Sequence, residues 1–313
     1  MLAAYGTTRS ALRSALRISS PRSLVAPLSL AGRASAISAG VHAPVLGGGS
    51  SRSSRRQFSI TRTVFDDEAA LNRAERLKRR FWKNVTLEEQ PSAGGFKICL
   101  DGRAIRSPGG GEIVIPSERK LLAAAIAHEW QEQGNQLKPH TLPLTSLAAR
   151  ALEGCSNPQD RAQIESDLLR YLENETVCFQ ESQPTALVQL QDEHWTPLIS
   201  HINSTFDVDI EPFQGLLGNS HSDKVMQTFK SHLEALDSFD LAAFERSVMI
   251  SKSFLISVAL IQGHLDVEKA CQAAQVEVQS QINRWGEVED SHDVDHADLR
   301  RTLGSVAIAT VRS

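Results

Sequence analysis

No window of this 313-residue chain offers the ~18 or more consecutive apolar residues that a membrane-crossing helix needs. The richest run, Val248 to Ile261, is interrupted by Ser251, Lys252, Ser253 and Ser257 and reads as a buried core helix. Cysteine is scarce: Cys99, Cys155, Cys178 and Cys271 are the only four, and no two stand in CxxC spacing. Each sits among apolar neighbours, as a small buried hydrophobe does, which suits a reducing compartment. The common enzyme signatures are missing as well. GxxxxGK[ST], GxGxxG, GxSxG and HExxH do not occur, and His128-Glu129 lacks the second His of a zinc helix.

The first 58 residues lack Asp, Glu and Lys altogether but hold eight Arg, at positions 9, 13, 17, 22, 33, 52, 55 and 56. Arg-rich, Ser-rich, Ala-rich and acid-free composition predicts a mitochondrial transit peptide over 1–58. Arg56-Gln57-Phe58-Ser59 resembles a matrix-processing site, with cleavage expected after Phe58. The remainder holds 25 basic and 37 acidic residues, a net charge of −12. Such a surface is a poor match for nucleic acid or anionic lipid, both of which need Lys and Arg. A basic partner surface fits it better.

What is present divides the chain. Residues 59–79 read as a short helix or arm. Residues 80–143 read as a small N-terminal α/β domain: an antiparallel β-meander covered by a helix. Trp82, Val85 and Leu87 mark one strand, and Phe96, Ile98 and Leu100 alternate in the next. Asp101-Gly102 is a hairpin turn because both positions tolerate positive φ. Arg103 to Arg106 returns, Gly109 to Gly111 turns the chain again, and Glu112 to Ile115 closes the meander. Ser117 is expected as the N-cap of a helix with its stripe at Leu122, Ile126 and Trp130, stopped at Gly134. A Trp at the end of such a stripe is core, and its N–H needs a partner.

From Pro143 the periodicity turns helical, and residues 144–313 read as an all-α bundle of about seven helices. Leu144, Leu147, Ala148, Ala151 and Leu152 share one face. Asn157 is an N-cap followed by Pro158, and Asp266 caps a helix reaching Trp285-Gly286. On that helix Val267, Cys271, Ala274, Val278, Ile282 and Trp285 form one stripe. Gln281 falls within it and Glu277 at its edge. Polar groups so placed are either buried with partners or exposed at a binding surface. His292-Asp293-Val294-Asp295-His296 is the one metal-like cluster, but an acidic helix start, with Asp293 or Asp295 as N-cap, explains it without a metal.

Several short segments together carry a family resemblance. They are Arg80-Phe81-Trp82-Lys83, Leu100-Asp101-Gly102-Arg103 through Ser107-Pro108, Ala125 to Trp130 with Gln133, and Leu142-Pro143-Leu144-Thr145. Further on come Gln191 with Trp195 and Pro197, Glu277 with Gln281, Trp285-Gly286 and His292. In this order the chain resembles the mitochondrial assembly chaperones that bind the unassembled α subunit of the ATP synthase catalytic head. It departs from the family at Leu142, Gln131, Val278 and Gln279. The resemblance implies a two-domain α+β fold and a matrix chaperone that is not an enzyme. It implies no cofactor or metal, no nucleic-acid partner and no membrane insertion. It also implies a monomer that holds the free α subunit transiently. By the same resemblance Glu277, Gln281 and Trp285 contact the client, and Trp82, Asp101, Gly102, Arg103, Glu129, Trp130, Pro143, Gly286 and His292 are structural or motif positions. Two other classes make different predictions. A matrix hydrolase requires His292, His296 and Glu277 to converge on a metal, and a structural subunit requires permanent residence in a complex.

Overall fold

The computed structural model describes residues 79–90, 94–213 and 220–312. The expected transit peptide and most of the 59–79 arm lie outside the described residues. Four strands form one antiparallel sheet: β1 (Val85–Gln90), β2 (Gly95–Leu100), β3 (Arg103–Ala104) and β4 (Val114–Pro116). β2 is central. β1 pairs with its whole length, from Val85 opposite Leu100 to Gln90 opposite Gly95. β3 pairs with Cys99 and Leu100, and β4 with Gly95 to Lys97. Asp101 and Gly102 make the tight turn with φ of 47° and 79°. The Asp101 carboxylate also accepts the backbone N–H groups of Lys83 and Asn84 at 3.0 and 2.9 Å. Those bonds hold its carboxyl below the usual range.

A 3-10 turn, Ser117–Arg119, leads into α1 (Lys120–Gln131), which packs across β1, β2 and β4 with Leu122, Ala123 and Ile126 buried. Ser117 does not cap it. The Ser117 side chain makes no cap hydrogen bond, because the 3-10 turn places the α-helical start three residues later. Nor does Gly134 end it: the C-cap is Glu132. Distant side chains take the terminal carbonyls instead. The Trp82 indole donates to Trp130 O at 3.2 Å, Arg80 to Gln131 O at 3.0 Å, and Gln133 to Glu129 O at 3.0 Å.

Ten α-helices follow among the described residues, against the seven expected. They are α2 (Pro143–Glu153), α3 (Pro158–Glu173), α4 (Thr185–His194), α5 (Thr196–Phe206), α6 (Asp223–Ala235), α7 (Ser238–Ser251), α8 (Phe254–Ile261), α9 (Val267–Ala274), α10 (Val276–Trp285) and α11 (His292–Thr310). α7 packs against both α2 and α11 and is buried at Phe239, Leu241, Phe244 and Val248. Asn157 and Asp266 cap α3 and α9 as the sequence predicts, and Gly263, with φ of 73°, follows α8. Buried apolar residues from Trp82 to Ala309 form one continuous cluster spanning the sheet and the helices. Arg119, fully buried, ties the start of α1 to the bundle: it pairs with Asp237 at 2.6 Å and Asp240 at 2.8 Å and donates to Ala309 O. All four cysteines are free and buried, and burial pushes the Cys155 and Cys271 thiols up to about 11.

Two apolar runs that read as single helices are broken. Lys252 adopts φ of 60° between α7 and α8. There the Glu175 carboxylate, fully buried, takes the N–H groups of Phe254 and Leu255 at 2.8 and 3.1 Å. The segment from Asp266 to Trp285 breaks at Gln275, with φ of −111° and ψ of 16°. The Trp195 indole, itself buried, donates to Ala273 O at 2.8 Å just before that break. No helix among the described residues is long and apolar enough to cross a membrane.

Candidate functional site

The break at Gln275 decides what α10 shows. It turns Val276 and Ser280 inward and leaves Val278 and Ile282 half-buried. The expected unbroken stripe therefore ends early, and Trp285, predicted within it, is 70% exposed. Glu277 and Gln281 are exposed too, so they are not buried polar groups tied inside the bundle. Spaced i, i+4 and i+8, Glu277, Gln281 and Trp285 form one line along the helix. The Glu277 side chain forms no ion pair or hydrogen bond among the described residues. Arg284 lies 5.1 Å from the Trp285 ring. Gly286, with φ of 89°, ends the helix where a side chain would be strained.

The chain then turns back into α11. His292 accepts the Val288 N–H through Nδ1 at 3.1 Å and so closes this turn. Asp293 and Asp295 lie in the first turn of α11, favoured by the helix dipole, but neither is its N-cap: that position is Ser291. Val288 and Val294 are 59% and 58% exposed. Around them stand the exposed carboxylates Glu287, Glu289, Asp290, Asp293 and Asp295. The result is an apolar line inside an acidic surface. Glu277, Gln281, His292 and Asp295 also line a cleft of about 580 Å³, together with Thr176 and Lys252. The cleft brings Glu277 near His292, yet no group of three His, Cys, Asp or Glu among the described residues is placed to hold a metal. The convergence that a metal hydrolase requires is not formed.

Sequence reasoning missed Lys252 and Thr176. Their position depends on the left-handed turn at Lys252 and on the Thr176 hydroxyl, which donates to Lys252 O at 2.8 Å. A cap-like Ser253 after a Lys was the available signal: Ser253 accepts the Ile256 N–H.

Most of the other motif positions serve the scaffold. Glu129 reaches from α1 to the N-terminus of α2, accepting the N–H groups of Leu144 and Thr145 at 2.7 and 2.9 Å and the Thr145 hydroxyl at 2.8 Å. Burial pushes its carboxyl up while these bonds pull it back. Pro143 occupies the first turn of α2, and its carbonyl accepts from Arg246. Trp130 is half-buried rather than core. Its ring lies 5.1 Å from that of Trp82, and its Nε1–H donates to the Thr145 hydroxyl at 3.0 Å, not to a free helix carbonyl. Arg103 is exposed on β3.

Comparison with known proteins follows this division. The family described as ATP12 chaperone protein matches residues 79–203, which span the sheet, α1 and the first bundle helices. Protein atp12, mitochondrial, of Schizosaccharomyces pombe is 34% identical over 238 residues, covering 74% of this chain and 81% of that protein. Protein ATP12, mitochondrial, of Saccharomyces cerevisiae is 32% identical over 281 residues, covering 77% and 86%. The crystal structure of Atp12 from Paracoccus denitrificans superposes with a TM-score of 0.65 at 28% identity, covering 75% of this chain and 97% of that one. The Atu1473 protein of Agrobacterium tumefaciens superposes at 0.67 and 25% identity, covering 74% and 85%.

Proposed function

The chain belongs to the ATP12 chaperone family, whose members are assembly chaperones of mitochondrial ATP synthase and not enzymes, and we propose that its client is the free α subunit of the catalytic head. In this reading the protein works in the mitochondrial matrix as a monomer. Residues 1–58 address it there, 80–143 form the scaffold, and 144–313 hold the client. The observation that carries the proposal is the exposed line of Glu277, Gln281 and Trp285, continued by Val288 and set in carboxylates.

A head subunit without its neighbours exposes large apolar surfaces made for them, and these aggregate. A holder must cover such a face and still yield it to the incoming subunit, which requires moderate affinity. Exposed Trp and Val supply desolvation, and the surrounding carboxylates supply complementarity to a basic client rim. Glu277 is the residue expected to accept charge-assisted hydrogen bonds from an Arg or Lys of the client.

The test is capture of free α subunit by Glu277→Lys beside its melting curve. Glu277 is exposed, so stability should stay within about ±0.5 kcal/mol. Capture should weaken by about 2–5 kcal/mol, the loss typical when one side of a desolvated charge pair is removed. Glu277→Gln, which keeps shape and one acceptor, should weaken it less. Normal capture by Glu277→Lys, or failure only through unfolding, would end the proposal.

A further inference from the structure

Most of the family-like segments on the sheet side have a visible structural task. Arg80 and Trp82 satisfy the carbonyls that end α1, Asp101 holds the amides of Lys83 and Asn84, and Gly102 supplies the turn. Phe81 and Arg103 have none. Phe81 is 73% exposed and only meets Trp82 edge-on, with ring centroids 5.1 Å apart. Arg103 makes no ion pair or hydrogen bond among the described residues. Both line one hollow of about 590 Å³, together with Arg79, Arg106, Trp130 and Leu137.

This hollow gathers three of the arginines that no carboxylate pairs with among the described residues; Arg80, Arg246 and Arg284 are others, engaged with backbone carbonyls, a hydroxyl or a Trp ring. Elsewhere Arg119, Arg150, Arg161, Arg170, Arg300, Arg301 and Arg312 are paired with carboxylates of the chain. Arg79, Arg103 and Arg106 have no carboxylate partner among the described residues. The one acid on the rim, Glu112, is held by Lys97 at 2.5 Å. Past residue 58 the chain carries a net charge of −12, so Arg79, Arg103 and Arg106, without a carboxylate partner among the described residues although Arg106 donates to Gly110 O at 3.4 Å, form a distinct cationic site around one opening. Its floor is apolar and aromatic, which a bare anion would leave unused.

We infer that this hollow is a second client contact, taking an acidic segment of the α subunit that carries an aliphatic or aromatic anchor. The inference rests on the α subunit being the client. The anchor packs between Phe81 and the Trp82–Trp130 pair while the arginines bind carboxylates, bidentate where the geometry allows. A client gripped by an acidic face on α10 and a basic hollow on the sheet is held in one orientation, because swapping the two contacts sets like charges together. Two modest contacts on one client also multiply in affinity.

The experiment compares full-length wild type, Arg103→Glu, Phe81→Ala and Glu277→Lys in capture of purified free α subunit. It is followed by probing overlapping peptides of that subunit. Arg103 and Phe81 are exposed, so both variants should melt as wild type does. Each should weaken capture at least about tenfold, the loss of one contact of about 1.4 kcal/mol. Peptides held by wild type and lost with Arg103→Glu should be acidic and contain an aliphatic or aromatic side chain. Normal capture by both variants with Glu277→Lys defective overturns this inference and leaves the client assignment standing. Failure of wild type to capture the subunit overturns both. Loss with Arg103→Glu but not with Phe81→Ala removes the anchor and overturns the inference. So does Arg103-dependent binding to phosphatidylserine vesicles with no peptide effect, which would assign the hollow to a lipid surface.

Discussion

Removing the carboxylate of Glu129 tests how one helix of this fold is started by another. The α2 helix begins at Pro143 with Leu142 in the N-cap position, and Leu142 has no side-chain acceptor to offer. Glu129, near the end of α1, fills that role from outside by accepting two backbone N–H groups and the Thr145 hydroxyl. Losing an N-cap costs about 1 kcal/mol, with a range of about 0.5–2. Hydrogen bonds to a charged group contribute about 1.5–3 kcal/mol each. The site is half-buried, so water recovers part of what is lost. We therefore take about 1 kcal/mol for each of the three bonds, or about 3 kcal/mol for Glu129→Ala. Against a total stability of about 5–15 kcal/mol this is large. For a domain of this size it lowers the melting temperature by roughly 6–12 °C. Glu129→Gln keeps the shape and one carbonyl acceptor but turns an NH₂ group toward an amide donor, so it should lose about half as much. Calorimetry and urea unfolding of the two variants measure this order. A Glu129→Ala protein that melts within 1–2 °C of wild type would refute the capping role.

Trp130→Arg should lose the ring pair with Trp82, worth about 0.5–1.5 kcal/mol, and the bond to Thr145, about 1 kcal/mol. With the cost of setting a charge against the Trp82 ring added, the variant should express poorly; a soluble variant that melts normally refutes this packing role. Glu175 gives a pH test, because burial raises its carboxyl from 4.5 to about 7 against the pull of Ser253, Val177, Leu255 and Phe254. A folded-state pKa above the unfolded one adds stability that is complete below about pH 4.5 and lost as pH rises through about 7. The stability difference between wild type and Glu175→Gln should thus shift by about 3 kcal/mol against wild type from pH 4 to 8. A pH-independent difference would show that the carboxyl titrates normally.

Where a local signal set the structure, the sequence sufficed. Asp101-Gly102 forms the turn, Asn157 and Asp266 cap their helices, and the alternation at Phe96, Ile98 and Leu100 places the central strand. Where a distant group set it, the sequence misled. Apolar periodicity resumes in register after Ser251-Lys252-Ser253 and continues past Gln275. The helices end there because Glu175 takes the amides that start α8, and the Trp195 indole takes Ala273 O. Glu175 and Trp195 stand 78–80 residues from the groups they bond, so a window centred on either break contains only part of its cause, such as the Ser253 cap of α8. Ser117 is passed over for a local reason, the 3-10 turn that it begins, and Gly134 because Arg80 and Trp82, far off in sequence, and the neighbouring Gln133 take the carbonyls that end α1.

The resemblance named the residues of the candidate site, but their exposure follows from this break in the helix. With one helix from Asp266 to Trp285, Trp285 would lie on the buried stripe. With the break at Gln275 it stands 70% exposed in line with Glu277 and Gln281. The contrast between these residues and the motif words of the sheet side is physical. Glu129, Trp82, Arg80 and Asp101 each meet fixed backbone donors or acceptors at 2.7–3.2 Å, and such a bond demands one side-chain length and one chemical type. A client face demands less. It needs exposure, a sign of charge and an apolar line, and Trp285, Val288 and Val294 among carboxylates satisfy that with many alternatives open. Recognisable words therefore mark the frame that positions α10. The client contact proposed for α10 rests instead on surface charge and exposure, which appear only after the chain is folded.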